Sequence, residues 1–342
     1  MKVSGELKSR AFLKLASGRW AWGEGPFSAH PRPLDGQACF YVNDFGLKDP
    51  YPWKRPARFE ILNDQDFLAA RTPPGGGPSI DWRPLGIENF ERHFQALQKE
   101  IDGGRLRKGV PYVFEEGLCA DPRQLQAWMI QRLGRLPDTL TGYGWFEANA
   151  GFMGATPELL FQVHDSTLET MALASSRPKG RGEELLSDPK ELSEHRMVVE
   201  DLQTQLRGLG PVKVGATSLL ELPAIVHLHT PLSVELQAPP DYSSLLRIFH
   251  PTAALGAFPR GEAADTWLRS LEGAEGRGSF GAPFGFVSEN GEARFVVAIR
   301  QIQVEADRLR VGSGCGVLAE SRLEKEWNEL AIKRDSVKSL FL

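Results

Sequence analysis

The chain has 342 residues, 41% of them hydrophobic, enough to bury one large core or two smaller ones. A quarter of the residues are charged, the net charge is −4 and no long basic run occurs, which argues against a nucleic-acid or anionic-membrane partner. No apolar run approaches the roughly 20 residues of a membrane helix, the opening MKVSGELKSRAFLKLASG lacks the apolar core of a signal peptide, and Cys39, Cys119 and Cys315 are widely spaced without a C-x-x-C; reduced thiols and a cytoplasmic protein are expected.

The N-terminal portion carries short aromatic-rich runs of β character, GRWAWGEGPF and ACFYVNDF, and no recognisable chemistry. The stretch RTPPGGGPSIDWRP (71–84) can continue neither a helix nor a central strand. It separates an N-terminal portion, 1–85, from a main body, 86–342. There Phe90, Phe94, Leu97 and Ile101 recur at helical spacing until Gly103 and Gly104. RKGVPYVFEE follows as a strand. Asp121 and Pro122 open a second helix, with Leu125, Trp128, Met129 and Leu133 inward and Gly134 at its end. GYGWFEAN, FMGATPELLFQV and STLETMALA read as strands. Ser187, Asp188 and Pro189 start a helix whose apolar residues Leu192, Val198, Val199, Leu202 and Leu206 share one face. The last helix bears Leu323, Trp327, Leu330, Ala331 and Phe341. Strands mixed with helices, without strict βαβ alternation, predict an α+β fold.

Two glutamate pairs stand out, Glu191 with Glu194 and Glu326 with Glu329, each three residues apart on a predicted helix. A lone E-x-x-E pair is more often solvated charge. At 100° per residue, however, Glu191 points into the apolar face of its helix with Glu194 at the edge. Glu326 borders its stripe and Glu329 lies further round. Four carboxylates from two helices could hold a hard, oxygen-loving ion such as Mg²⁺. Other candidates are individually weak. VGSGCGV (311–317) is by itself a tight turn whose amides could also approach an anion. Arg300 ends the strand-like FVVAIR, as a solvated residue or as a carboxylate clamp. His227 and His250 read alone as core or turn histidines. Lys108 is a strand-edge lysine or, in a closed pocket, a base. Glu158 in GATPELLF is a turn-end charge.

No P-loop, G-x-G-x-x-G, H-E-x-x-H or G-x-S-x-G is present. The order of the weak candidates is nevertheless informative. GATPELL, ALASSRPKG, DPKELSEHRMVV, IVHLHTPL, HPTAALGAFPR, FVVAIR, GSGCGV and SRLEKEWNELAIK follow one another as in the chorismate-utilising enzymes, which the chain resembles from about residue 88 onward. These are isochorismate synthase, salicylate synthase and the large subunits of anthranilate and aminodeoxychorismate synthase. The resemblance implies the layered α+β fold of the anthranilate synthase large subunit. It implies chorismate as substrate and Mg²⁺ as cofactor, with Glu194 and Glu329 as direct ligands and Glu191 and Glu326 reaching the ion directly or through water. It places Arg300 and the amides of Gly314 and Gly316 on the enolpyruvyl carboxylate, and Ser176, His227, Thr252 and Lys333 in the same pocket. Glu158 matches the general acid for the departing C4 hydroxyl.

Within the resemblance, Lys108 separates the reactions. The ammonia-using members typically carry glutamine there, whereas isochorismate and salicylate synthases carry a lysine that activates water. Ala174, in A-L-A-S-S, stands where aminodeoxychorismate synthases often place a nucleophilic lysine. A glutamine amidotransferase partner is therefore not expected, and isochorismate synthase, as a monomer or homodimer, is favoured. Phe280, where salicylate synthases usually have tyrosine, leans the same way. Salicylate synthase, an aminating subunit and a non-catalytic chorismate-binding homologue remain the alternatives. The product's use, in menaquinone or catechol siderophore biosynthesis, is left open. Ser175, Ala257 and Ala282 occupy usual glycine positions, where a side chain can obstruct close backbone approach.

Overall fold

Alternating apolar residues make the chain a succession of antiparallel strands, and a computed structural model describes residues 9–69, 77–273 and 276–341. The opening residues 1–8 and the part of the glycine–proline stretch at 71–76 lie outside these. Among the described residues, seventeen strands join one sheet and two form a separate ribbon. The helices are α1 (Asp64–Ala69), α2 (Glu88–Asp102), α3 (Pro122–Leu133), α4 (Pro189–Leu206), α5 (Tyr242–Phe249), α6 (Glu262–Leu271) and α7 (Leu323–Phe341). This is the expected α+β fold. N-terminal strands are built into the same sheet as the rest: Arg10–Lys14 pairs with Thr141–Glu147, Cys39–Val42 with Pro283–Val287, and Ile80–Trp82 with Tyr112–Cys119. Phe40, Tyr143, Phe152 and Phe284 form an aromatic core beneath these pairings.

Capping chemistry sets the helix starts. Asp121 accepts from the amides of Arg123 and Gln124, and Asp188 from those of Lys190 and Glu191, each just before a first-turn proline. α4 buries Val198, Leu202 and Leu206 against Phe161, Leu168, Leu232 and Phe295 of the sheet. α7 is held by two clusters. Leu330 packs with Phe90, Leu97 and Trp267, while Val337 and Phe341 pack with Met129 and Leu133. Both helices are thus anchored through apolar residues beyond their first two turns, which leaves those turns free to present carboxylates.

Three expected strands are interrupted, and each break creates part of the site. RKGVPYVFEE divides at Val110–Pro111, because proline has no amide to continue a ladder; Lys108–Gly109 pairs instead with Ala257–Phe258, and Tyr112–Cys119 joins the main sheet. FMGATPELLFQV divides into Ala150–Thr156 and Leu159–His164 at Pro157–Glu158. FVVAIR ends as a strand at Val297, and Arg300 takes a left-handed φ of 55° before Gln301–Glu305 resumes. The backbone carbonyl of that turn lies where a side chain at Gly154 would be, 2.6 Å from a Cβ built there, so glycine is required opposite Arg300.

Candidate active site

The breaks at Glu158 and at Ile299–Arg300, with Glu194 of α4 and Glu329 of α7, line a cavity of about 70 Å³, and Lys108, from the strand broken at Pro111, lies beside it against Glu194. Of the residues singled out in the sequence, Glu158, Ser176, Glu194, His227, Arg300, Gly314, Gly316, Glu329 and Lys333 line it. Phe280 is in its wall, together with Ala254 and Leu255. Glu191 and Glu326 line an adjoining, wider mouth of about 750 Å³, which shares Ser176, Glu329 and Lys333 with the cavity. Thr252 is set back: its hydroxyl is buried and makes no hydrogen bond, and the wall nearby is Ala254 and Leu255. His250 is a core histidine as its sequence context suggests, its Nε2 2.7 Å from the Phe45 carbonyl.

Lys108 is fully buried, its Nζ 3.1 Å from Glu194 Oε1 but without a hydrogen bond. A Cβ at Gly316 would lie 2.0 Å from that same oxygen and 2.9 Å from the lysine Cε. The glycine therefore makes the room in which Lys108 and Glu194 meet. Glu158 is 5% exposed, and burial pushes its carboxyl up to about 7, against the opposing pull of Lys108 and Lys333. It is a carboxyl able to carry a proton near neutral pH.

His227 is 2.9 Å through Nδ1 from the Ser175 carbonyl, and its buried Nε2 has no partner. Burial, with Arg300 and Lys333 nearby, pulls the ring down to about 3, so it is neutral. A carbonyl can only accept, so the proton sits on Nδ1 and the Nε2 lone pair faces the site. Arg300 donates through Nη1 to Ser336 Oγ at 2.6 Å and to the Lys333 carbonyl at 3.3 Å. Burial lowers it to about 10, leaving a cation whose hydrogen bonds all go to neutral acceptors. Lys333 reaches both Glu329, 2.6 Å away, and the Gly314 carbonyl at 2.8 Å.

All four predicted carboxylates face this region, including Glu194, which is as buried as its neighbour rather than at an edge, and Glu329, for which the helical geometry gave the weakest case. Each is tied to a base: Glu191 to Arg177 at 2.7 Å, Glu194 to Lys108, Glu326 to Lys190 at 2.8 Å and Glu329 to Lys333. Among the described residues no three acidic, histidine or cysteine side chains already form a cage for a metal ion. Burial, reinforced by Glu194, raises Glu191, and burial also raises Glu326, where Glu329 adds to it and Lys190 opposes. Glu191 and Glu326 thus carry their charge at a cost, which a further cation beside them would relieve. Arg177 and Lys190 are not among the residues singled out in the sequence, although both lie within the ALASSRPKG and DPKELSEHRMVV segments. Lys190 adjoins Glu191 in the chain, whereas Arg177 meets Glu191 only in the fold, at 2.7 Å.

Ser175, at a usual glycine position, has a left-handed φ of 60° at a bulge where the strand Thr167–Pro178 slips against Ile225–Glu235. Its hydroxyl donates to the Glu191 carbonyl at 2.8 Å, tying the bulge to α4. Ser175→Ala keeps the strained backbone and loses this bond, so it should cost about 1–2 kcal/mol in equilibrium denaturation. Ser175→Gly relieves strain of about 1 kcal/mol as it loses the bond, and should stay within about 1 kcal/mol of wild type.

A profile of the family described as "Chorismate binding enzyme" matches residues 85–341. The salicylate biosynthesis isochorismate synthase of Pseudomonas aeruginosa is 32% identical over 200 residues, 56% of this chain and 42% of that protein. Isochorismate synthase MenF of Bacillus subtilis is 32% identical over 216 residues, 58% of this chain and 44% of that one. The chain thus spans less than half the length of these relatives in the matched regions. The solved menaquinone-specific isochorismate synthase MenF of Escherichia coli superposes with a TM-score of 0.81 at 21% identity, covering 98% of this chain and 89% of that one, which establishes a shared fold. Among the described residues no helix is long and apolar enough to cross a membrane. With the matched profile spanning the cavity and both glutamate-bearing helices, the chain belongs to the chorismate binding enzyme family.

Proposed function

We propose that this protein is a Mg²⁺-dependent isochorismate synthase, adding water at C2 of chorismate and expelling the C4 hydroxyl. The observation that carries the reading is the pair of opposed groups at one cavity: a buried lysine beside it and, within it, a carboxyl that burial keeps protonated up to about pH 7. Oxygen-only donors from the facing turns of α4 and α7 suit Mg²⁺, and Glu191, Glu194, Glu326 and Glu329 would hold it. The bound ion would supply positive charge to a substrate carboxylate and fix its position.

The chain's own residues account for the rest. Arg300, with its hydrogen bonds now spent on a hydroxyl and a carbonyl, would gain a charge-assisted partner in a second substrate carboxylate. The neutral His227 offers a lone pair to a substrate hydroxyl. Lys108 takes a proton from the attacking water. As the C2–O bond forms the double bonds shift, the C4–O bond breaks, and Glu158 protonates the leaving hydroxyl, so that one water enters and one departs. Phe280 presents no hydroxyl to the cavity, which favours release of isochorismate over elimination of pyruvate.

The test is to incubate pure protein with chorismate and Mg²⁺, with and without ammonium, and to identify products by chromatography. Isochorismate formed independently of ammonium is expected. Salicylate with pyruvate, an aminated product that needs ammonium, or unchanged chorismate would each replace the proposal with a different member of the family.

A further inference from the structure

Lys190 directly precedes Glu191 in the first turn of α4, yet its ammonium crosses to α7 and donates to Glu326 at 2.8 Å. Burial opposes its charge, but Glu326, then Glu194 and Glu191, more than offset this and raise it above the ordinary lysine value. Three of the four carboxylates therefore act on one ammonium. The other bases of the cluster are held more firmly. Arg177 has Asp188 at 2.9 Å as a second carboxylate, Lys333 also donates to the Gly314 carbonyl, and Lys108 is enclosed on all sides. Lys190 has Glu326 as its hydrogen-bond acceptor, its side chain is 24% exposed, and it lines the 750 Å³ mouth rather than the cavity behind it.

We propose that Lys190 is a resident counter-cation of the four-glutamate site, which holds Glu326 when no divalent ion is present and swings into the mouth when one binds. This rests on reading the glutamates as the Mg²⁺ site. The exchange has two consequences of opposite sign. The ammonium competes with the divalent ion for Glu326 and so weakens its binding. It also neutralises a buried carboxylate that would otherwise lie unpaired in the ion-free protein, and so supports that state.

The experiment uses the full chain without chorismate. Affinity for Mn²⁺ is measured by isothermal titration calorimetry and by electron paramagnetic resonance, and thermal stability is followed with and without the ion. Lys190→Met should bind Mn²⁺ about tenfold or more tightly than wild type, melt lower without the ion, and recover most of the deficit at saturation. Lys190→Arg, which keeps the charge, should bind within about threefold of wild type. In the wild-type protein, acetic anhydride labelling of Lys190, read by mass spectrometry, should rise several-fold when Mg²⁺ is added; this readout needs no variant to fold. Equal or weaker Mn²⁺ binding by Lys190→Met, or labelling indifferent to Mg²⁺, overturns the counter-cation role while leaving the metal site intact. Absence of divalent-ion binding in wild type and both variants overturns the metal reading and this role with it.

Discussion

Lys108→Ala should lower isochorismate formation by about 10²- to 10⁴-fold, the usual contribution of a positioned acid or base. The loss should fall on kcat, with KM for chorismate little changed, because the substrate's carboxylates are assigned to other groups. Lys108 is placed by two features with no other evident purpose. Pro111 cuts its strand away from the main sheet, and Gly316 leaves the space its side chain fills beside Glu194. Its ammonium lies 3.1 Å from Glu194, one of the four carboxylates proposed to hold the ion. Removing the lysine also leaves Glu194 buried without its partner, so the measurement needs a control for folding. Lys108→Met keeps the stem that packs under Gly316, and near-ultraviolet circular dichroism with Mg²⁺ present should show a native fold for both variants. Product formation near the wild-type rate in either would remove Lys108 from the mechanism.

Much of this site was legible because the residues concerned sit in short segments whose chemistry is local. The inward aim of Glu191 followed from helical periodicity, and the caps at Asp121 and Asp188 from the residues beside proline. What periodicity could not give was long-range pairing. Glu194 lies deeper than its helix alone suggests because Lys108, on a strand more than eighty residues earlier, comes up beneath it. Glu329 faces the cavity because Ser176 and Lys333 meet it there. The strand breaks at Pro111, Glu158 and Ile299 fall in or beside apolar stretches whose composition alone reads as strand. In the fold the breaks at Glu158 and Ile299 turn polar groups into the cavity, and the one at Pro111 leaves Lys108 beside it. Ser175 shows the reverse case. A side chain at a usual glycine position looked like an obstruction, but it adopts the left-handed conformation and uses its hydroxyl to fasten α4.

Glu158→Gln should abolish turnover, by about 10²-fold or more, and should do so without the loss of stability that accompanies most changes at buried polar positions. Glutamine keeps the shape and hydrogen-bonding reach of the carboxyl but has no proton to give to the leaving hydroxyl. The wild-type rate should itself decline as pH rises through about 7, where the acid form of Glu158 is lost. Stability supplies an independent check. The carboxyl rises from its ordinary value of 4.5 to about 7 in the fold, so the folded protein holds this proton more tightly than the unfolded chain does. Its contribution is fully present below pH 4.5, is lost across the window up to about 7, and stays lost above it. The cost of that shift is of the order of 3 kcal/mol, and glutamine, which never ionises, does not incur it. Denaturation of both proteins at pH 5 and pH 8, without added metal, should therefore show the variant gaining on wild type at the higher pH. A stability difference that does not change with pH would mean that Glu158 is ionised in the fold, and it would remove the acid from the proposed reaction.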